Sequence, residues 1–264
     1  MTHSPVRAAV RLSLFLAATF ALLIPYLVCF PLGRRARCMF AKLFYLASNR
    51  LTGLRVTVLG KPAGPGTLYA ANHASYLDIP VLCAVTDGVF VAKAEVRGWP
   101  LFGFLAAIGR TIFVSRQRAG VTRERLAIAG RLADGEAVFL FPEGSSSDGA
   151  RVMPFRTALM TAAAMDPELD VLVQPVTIAY GPDADQTVRD RYAWYGDMDL
   201  APHLLKLFGT KQRLAVEVRF HAPRHAHDFP HRRQLADWAQ ANVADGLARS
   251  LGFETPNGET DAAA

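Results

Sequence analysis

The sequence has few cysteines, and they are far apart along the chain. Its 264 residues contain Cys29, Cys38 and Cys83 and no C-x-x-C motif. Three scattered thiols exclude a disulfide framework and a zinc ribbon, both of which need more cysteines at short intervals. A reduced compartment, with the catalytic body facing the cytosol, fits this composition best.

Acidic residues are absent from the first 77 positions. The first carboxylate is Asp78, and nine Lys and Arg residues precede it, so the formal net charge of +6 is concentrated near the N-terminus. A basic stretch beside apolar sequence is attracted to an anionic membrane surface, at about 1 kcal/mol per basic residue close to the headgroups. With 51% apolar and 20% charged residues, the chain is neither disordered nor collagen-like nor a coiled coil.

One long uncharged run lies near the N-terminus. Leu12 to Leu32 contains 21 residues without a charge, close to the roughly 20 that cross a hydrocarbon core as a helix. Three interpretations of this run remain possible. It could be a cleaved signal peptide, a transmembrane helix, or a helix that enters the membrane interface and turns back. No A-x-A cleavage site follows the run, while Pro25 and Pro31 favour shallow re-entry.

A basic amphipathic stretch follows from Arg34 to Leu51, with its apolar residues on one helical stripe. Basic residues on this side of the run outnumber Arg7 and Arg11, which places the C-terminal side in the cytoplasm. We therefore predict membrane-anchoring helices over residues 1–52. The expected location is the cell inner membrane, with the catalytic body on the cytoplasmic side.

Short β-rich runs alternate with helical runs after residue 53. This alternation is typical of an α/β domain with a mostly parallel sheet flanked by helices. It predicts one such domain over residues 53–252 and a flexible tail over 253–264. The seven predicted strands are Leu54–Leu59, Thr67–Ala71, Val89–Ala92, Thr111–Val114, Ala137–Phe141, Val171–Ala179 and Leu214–Phe220.

A histidine and an aspartate, His73 and Asp78, follow the second predicted strand. Pro80 favours the first turn of a helix, so the pair lies at a strand-to-helix corner. Five residues on a regular helix would rotate the two side chains about 140° apart, so His73 must precede the helix to meet Asp78. A carboxylate on one ring nitrogen leaves the other as a general base. The alternative is a structural capping pair.

A glycine- and serine-rich loop follows the fifth predicted strand, with the sequence Phe141-Pro142-Glu143-Gly144-Ser145-Ser146-Ser147-Asp148-Gly149. Its backbone amides could form an oxyanion-binding nest, and Glu143 could receive a substrate hydroxyl. An ordinary turn remains the alternative. The chain contains no G-x-S-x-G nucleophile elbow.

Three basic residues are candidates for binding a phosphate. Arg110 and Arg116 flank the fourth predicted strand, and Lys93 directly follows the third. Arginine suits phosphate because its planar fork donates two hydrogen bonds at once. Solvated surface positions, or a lysine that snorkels at a strand end, are the alternatives.

Four segments resemble, in the right order, the four motif blocks of the glycerophospholipid acyltransferases, specifically the bacterial 1-acylglycerol-3-phosphate acyltransferases. The blocks are Asn72-His73 with Asp78, Arg110 to Arg116, Phe141 to Gly144, and Val173-Gln174-Pro175-Val176, and the resemblance covers roughly residues 35–225. Two departures are Ser115, where many members have Asp, and Ser145, where many have Thr. The Ser-Ser-Ser-Asp-Gly continuation is also similar to the related lyso-ornithine lipid acyltransferases.

The resemblance implies transfer of a fatty acyl group from acyl-CoA or acyl carrier protein to a lysolipid hydroxyl in the membrane. It makes His73 the base and Asp78 its orienting partner, and it assigns acceptor binding to Arg116 and Glu143-Gly144, with Arg110, Lys93 and Ser145 as further candidates. The expected acceptor is 1-acylglycerol-3-phosphate, and lyso-ornithine lipid is the alternative. We expect no metal, cofactor or nucleic acid.

Two other functions stay open at this point. One is a thioester or lipid hydrolase that uses the same pair to activate water, and the other is a membrane-anchored lipid-binding protein without catalysis. A group of four histidines, His221, His225, His227 and His231, is predicted to be a solvated loop rather than a metal site, because its spacing matches none of the usual ligand patterns.

Overall fold

A computed structural model describes residues 3–114, 121–161, 170–182 and 184–253. The predicted tail lies outside these ranges apart from Phe253. The helices are α1 (Pro5–Val28), α2 (Arg34–Thr52), α3 (Asp78–Val85), α4 (Phe102–Ile108), α5 (Val121–Ala133), α6 (Thr157–Met160), α7 (Gln186–Arg189), α8 (Leu200–Gly209) and α9 (Arg232–Leu251). The strands are β1 (Leu54–Leu59), β2 (Thr67–Ala71), β3 (Val89–Lys93), β4 (Ile112–Val114), β5 (Val138–Leu140), β6 (Leu172–Tyr180), β7 (Leu214–Phe220) and β8 (Arg224–His225).

The strands form one mixed sheet in the order β1-β7-β6-β2-β5-β3-β4, with β8 paired to β6 off this path. The pairs β6 with β7 and β6 with β8 are antiparallel, and the other pairs are parallel. The predicted α/β class with a mostly parallel sheet flanked by helices is therefore confirmed.

The central strand β2 is buried along its whole length, as its uninterrupted run of mostly apolar residues predicts. Its side chains alternate between the two faces of the sheet. Tyr69 and Ala71 pack in the core on the side of α3, whereas Leu68 and Ala70 pack against α9. Because β2, β5, β3 and β4 pair in parallel, their carboxyl ends meet at one edge of the sheet, where open α/β sheets place their ligand sites.

Helix α1 lies along the α/β body rather than projecting from it. At its start, Ser4 N–H donates to Gly209 O at 3.1 Å, and at its end the Tyr26 hydroxyl donates to Ile108 O at 2.9 Å. Phe15, midway along, is buried between Phe44 of α2 and Phe208 of α8. A helix about 36 Å long whose two ends both contact the same body does not run straight across a bilayer away from it.

The outward face of α1 remains apolar and exposed, although the helix is long and apolar enough to cross a membrane. Its exposed large apolar side chains include two runs with a spacing of four residues, one at Val6, Val10 and Leu14 and the other at Phe20, Ile24 and Val28. Helix α2 adds exposed Met39, Leu43 and Leu46. An exposed apolar surface of this kind marks a candidate membrane-binding segment.

Candidate active site

The corner between β2 and α3 begins with a side chain that continues the sheet. Asn72 Nδ2 donates to Ile178 O at 2.9 Å, and Ile178 N–H donates to Asn72 Oδ1 at 2.8 Å. The buried amide thus imitates one more backbone pair between β2 and β6. The position of the next residue, His73, is fixed by this pairing.

His73 and Asp78 meet at this corner as predicted. His73 lies before the helix, Asp78 is the first residue of α3, and His73 Nδ1 is 2.7 Å from Asp78 Oδ2. Because an ionised carboxylate only accepts hydrogen bonds, Nδ1 carries the proton and the lone pair lies on Nε2. The histidine side chain is 21% exposed while that of Asp78 is fully buried. In the described part of the chain, Nε2 has no hydrogen-bond partner, so it is available to a substrate.

The Asp78 carboxylate has hydrogen-bond donors on both oxygens. Oδ2 also accepts from the backbone amides of Ala74 at 2.9 Å and Ser75 at 3.1 Å, and Oδ1 accepts from the Tyr180 hydroxyl at 2.7 Å. Burial and the neighbouring Asp78 hold the pKa of the Tyr180 phenol well above its usual value, so the phenol stays a donor. Tyr180 ends β6, and no motif in the sequence marked it.

The loop after β5 holds the histidine from the other side. His73 N–H donates to Glu143 Oε1 at 3.1 Å, and His73 O accepts from the Ser147 amide at 2.9 Å and the Ser147 hydroxyl at 3.2 Å. The imidazole stacks on Phe141 with ring centroids 4.2 Å apart. Ser147 was part of the predicted loop, but its contact with His73 could not be read from the sequence.

The loop also places a titratable side chain, that of Glu143, against the backbone of His73. Its side chain is buried, and this desolvation raises the pKa of Glu143 to about 8, although the backbone amides of His73 and Met153 favour the carboxylate. Gly144 follows with φ +75°, and a Cβ there would meet the Arg156 guanidinium at 2.9 Å. Ser145 is exposed on the same loop. The structure thus brings Glu143, Gly144 and Ser145 to the edge where His73 lies.

The three basic candidates fall in different places. Lys93 ends β3 at the carboxyl edge that also carries His73. Arg110 precedes β4 and forms an ion pair with Glu136, which precedes β5, at 2.6 Å. Both residues lie at the amino edge of the sheet, so the structure does not bring Arg110 to His73. Arg116 and Ser115 lie outside the described residues.

The histidine group is only partly solvated, so its prediction as a solvated loop is wrong for one member. His221 is packed beneath α9, where its Nε2 lies 2.8 Å from Thr177 Oγ1, and burial lowers the pKa of its imidazole to about 4. His225 and His227 are at the surface and both contact Asp170. The ligand atoms of these three residues lie within 4.8 Å of one another and could hold a metal ion, at the amino edge of β6 and away from His73.

Chemically, the corner contains a partly exposed imidazole that is oriented by a buried carboxylate. The pair can take a proton from a hydroxyl or from water at Nε2 and hold the resulting imidazolium against a buried carboxylate. The loop after β5 lies beside the same ring, where backbone amides can face a developing oxyanion.

Comparison with known proteins places this geometry in a family. The acyltransferase family model matches residues 55–179. The chain is 40% identical to the lyso-ornithine lipid O-acyltransferase of Brucella abortus over 94% of this chain and 98% of the relative. It is 31% identical to the 1-acyl-sn-glycerol-3-phosphate acyltransferase of Neisseria gonorrhoeae over 70% of this chain and 72% of the relative.

A solved structure supports the fold. The crystal structure of the 1-acyl-sn-glycerophosphate acyltransferase PlsC from Thermotoga maritima superimposes with a TM-score of 0.66 at 20% sequence identity, covering 94% of this chain and 99% of that one. The resemblance noted from the four motif blocks is confirmed. The chain therefore belongs to the acyltransferase family and is a lysolipid O-acyltransferase.

Proposed function

We propose that the protein transfers a fatty acyl group from an acyl thioester, carried by coenzyme A or acyl carrier protein, to the free hydroxyl of a lyso-ornithine lipid. The observation that carries this proposal is a relative named lyso-ornithine lipid O-acyltransferase that matches over nearly the whole of both chains. Two further relatives of that name are 37% and 39% identical. These relatives favour lyso-ornithine lipid, the alternative acceptor, over the expected 1-acylglycerol-3-phosphate.

The position of Arg110 agrees with an acceptor whose binding depends less on a phosphate group. Its position beside a strand made this arginine a candidate for binding a phosphate, but it is paired with Glu136 at the opposite edge of the sheet. A zwitterionic ornithine headgroup depends less on arginine than a phosphomonoester does. For the anionic part of the headgroup we propose Lys93 and Arg116.

The proposed reaction needs no covalent enzyme intermediate. His73 Nε2 removes the hydroxyl proton as the acceptor oxygen attacks the thioester carbonyl carbon, and Asp78 stabilises the imidazolium. This attack forms the new C–O bond, and the tetrahedral intermediate then collapses by restoring the carbonyl and breaking the C–S bond. His73 returns the proton to the leaving thiolate. The loop residues Glu143, Gly144 and Ser145 are proposed to face the oxyanion and the acceptor.

The N-terminal helices are proposed to hold this corner at the bilayer surface. The apolar outward face of α1 and the exposed side chains of α2 support a helix pair that lies in the membrane interface rather than one that spans the bilayer. In this arrangement residues 1–52 anchor the protein to the inner membrane. The body over residues 53–252 faces the cytoplasm, where acyl thioesters are found.

An acceptor panel tests the proposal. Purified full-length protein in detergent micelles receives one labelled acyl thioester with either lyso-ornithine lipid or lysophosphatidic acid, and the lipid products are separated. We expect a higher kcat/KM with lyso-ornithine lipid. Preference for lysophosphatidic acid would reverse the acceptor assignment, and release of free fatty acid at the same rate with and without acceptor would identify a hydrolase.

A further inference from the structure

The two oxygens of Asp78 are held by different parts of the fold. Oδ2 accepts from the histidine and from two amides of its own turn, whereas Oδ1 accepts from the Tyr180 hydroxyl. Tyr180 belongs to β6, more than a hundred residues away in sequence, and it is 5% exposed. The contact between Asp78 and Tyr180 therefore joins the local His–Asp turn to a rigid central strand.

We propose that Tyr180 is a positioning residue that fixes the orientation of the Asp78 carboxylate and, through it, limits how strongly His73 holds its proton. This inference rests on the proposed role of His73 as the general base. Two of the three members of the resulting chain, Tyr180 and Asp78, are buried, and both hydrogen bonds that join the three are 2.7 Å long.

The physical reason is the shared charge of the carboxylate. A phenol that donates to Oδ1 disperses negative charge that would otherwise attract the imidazolium proton on the other oxygen. Without that donor, the buried carboxylate stabilises the charged imidazole more strongly, and it loses the contact that fixes Oδ1 while the donors on Oδ2 remain. The base would then stay protonated to higher pH and meet the acceptor hydroxyl in the correct orientation less often.

Other titratable groups face this chain from the elements packed against it. Glu143 and Asp148 lie on the loop after β5, with Arg156 beside Gly144, and Tyr76 lies on the turn itself. Because the pKa of Glu143 is about 8, it titrates in the same range as a histidine base. A measurement specific to His73 is therefore needed beside the activity profile.

The test compares Tyr180→Phe with Tyr69→Phe in the full-length protein. Tyr69 is a buried tyrosine of β2. Its hydroxyl accepts at 3.0 Å from the N–H of Gly64, which precedes that strand, so it does not contact Asp78. For Tyr180→Phe we expect the acid limb of the kcat profile to move up by about 0.5–1 pH unit. We expect kcat on the plateau to fall about tenfold, while KM for the thioester changes less than about twofold. Tyr69→Phe should leave the acid limb unmoved.

Two further measurements separate this inference from the proposed function. The ring resonances of His73, identified by their loss in His73→Ala, can be titrated by NMR without any substrate, and their midpoint should rise in Tyr180→Phe but not in Tyr69→Phe. The kcat loss from Tyr180→Phe should also be smaller when Asp78→Asn is already present, because Tyr180 is proposed to affect His73 only through Asp78. An unmoved His73 midpoint, or a kcat loss that is the same in both backgrounds, would overturn the role of Tyr180. Loss of acyl transfer to every lysolipid in the wild type would instead overturn the proposed function.

Discussion

Replacement of Glu143 by glutamine should change how the stability of the protein depends on pH. The folded protein raises the pKa of this carboxyl from its usual 4.5 to about 8. Between these values the folded state keeps the proton that the unfolded chain has lost, so the free energy of unfolding falls as pH rises. A single such group contributes a slope of about −1.4 kcal/mol per pH unit. Glu143→Gln removes this slope and keeps an oxygen that can accept from His73 N–H.

The assay is denaturant unfolding in detergent at a series of pH values from 5 to 8, for the wild type and the glutamine variant. Other titrating groups cancel in the difference between the two curves. We expect the variant to become relatively more stable as pH rises, by up to about 1.4 kcal/mol per unit. Ser145→Ala, a change on the same loop at an exposed position, should run parallel to the wild type. Parallel curves for Glu143→Gln would show that Glu143 is already ionised at low pH and would refute the reasoning.

Three other changes have distinct expected outcomes. Arg110→Ala breaks the ion pair with the buried Glu136 and should lower the melting temperature while leaving the acceptor KM unchanged; a large rise in that KM would place Arg110 in the acceptor site. Asn72→Ala removes two buried hydrogen bonds with Ile178 and should destabilise the protein by about 2–3 kcal/mol in denaturant unfolding, so an unchanged midpoint would show that this side-chain pairing does not stabilise the corner. High salt should not extract the full-length protein from membranes, whereas detergent should, because apolar burial holds α1; release by salt alone would refute the anchoring.

The corner that holds His73 and Asp78 was predictable because its residues are close in sequence. A strand end, a proline in the first helical turn and the five-residue interval together required His73 to precede the helix, and the structure has it there. The glycine- and serine-rich loop after β5 was likewise visible as a loop. In both cases local sequence determines local geometry.

The contacts across the sheet were not predictable in the same way. Tyr180 and Ser147 reach the His–Asp pair only because β6 and β5 flank β2, and the order of strands in a sheet is set by packing between distant segments. Arg110 was a candidate for acceptor binding because arginine suits a phosphate and the residue borders a strand, but spacing does not show that it borders the amino end, away from His73. The contacts that hold α1 along the body also join residues about 200 positions apart.

The central claim is that His73 is the base for acyl transfer to a lysolipid hydroxyl, and one comparison tests it most directly. Acceptor-dependent formation of the acylated lipid is measured for the wild type, for His73→Ala, and for His225→Ala, which changes a surface histidine at the opposite edge of the sheet. Positioned general-base catalysis contributes about 10²–10⁴-fold. His73→Ala should therefore lose at least about a hundredfold in kcat while its unfolding midpoint stays close to that of the wild type, and His225→Ala should retain activity. Activity of purified His73→Ala near that of the wild type would contradict the mechanism.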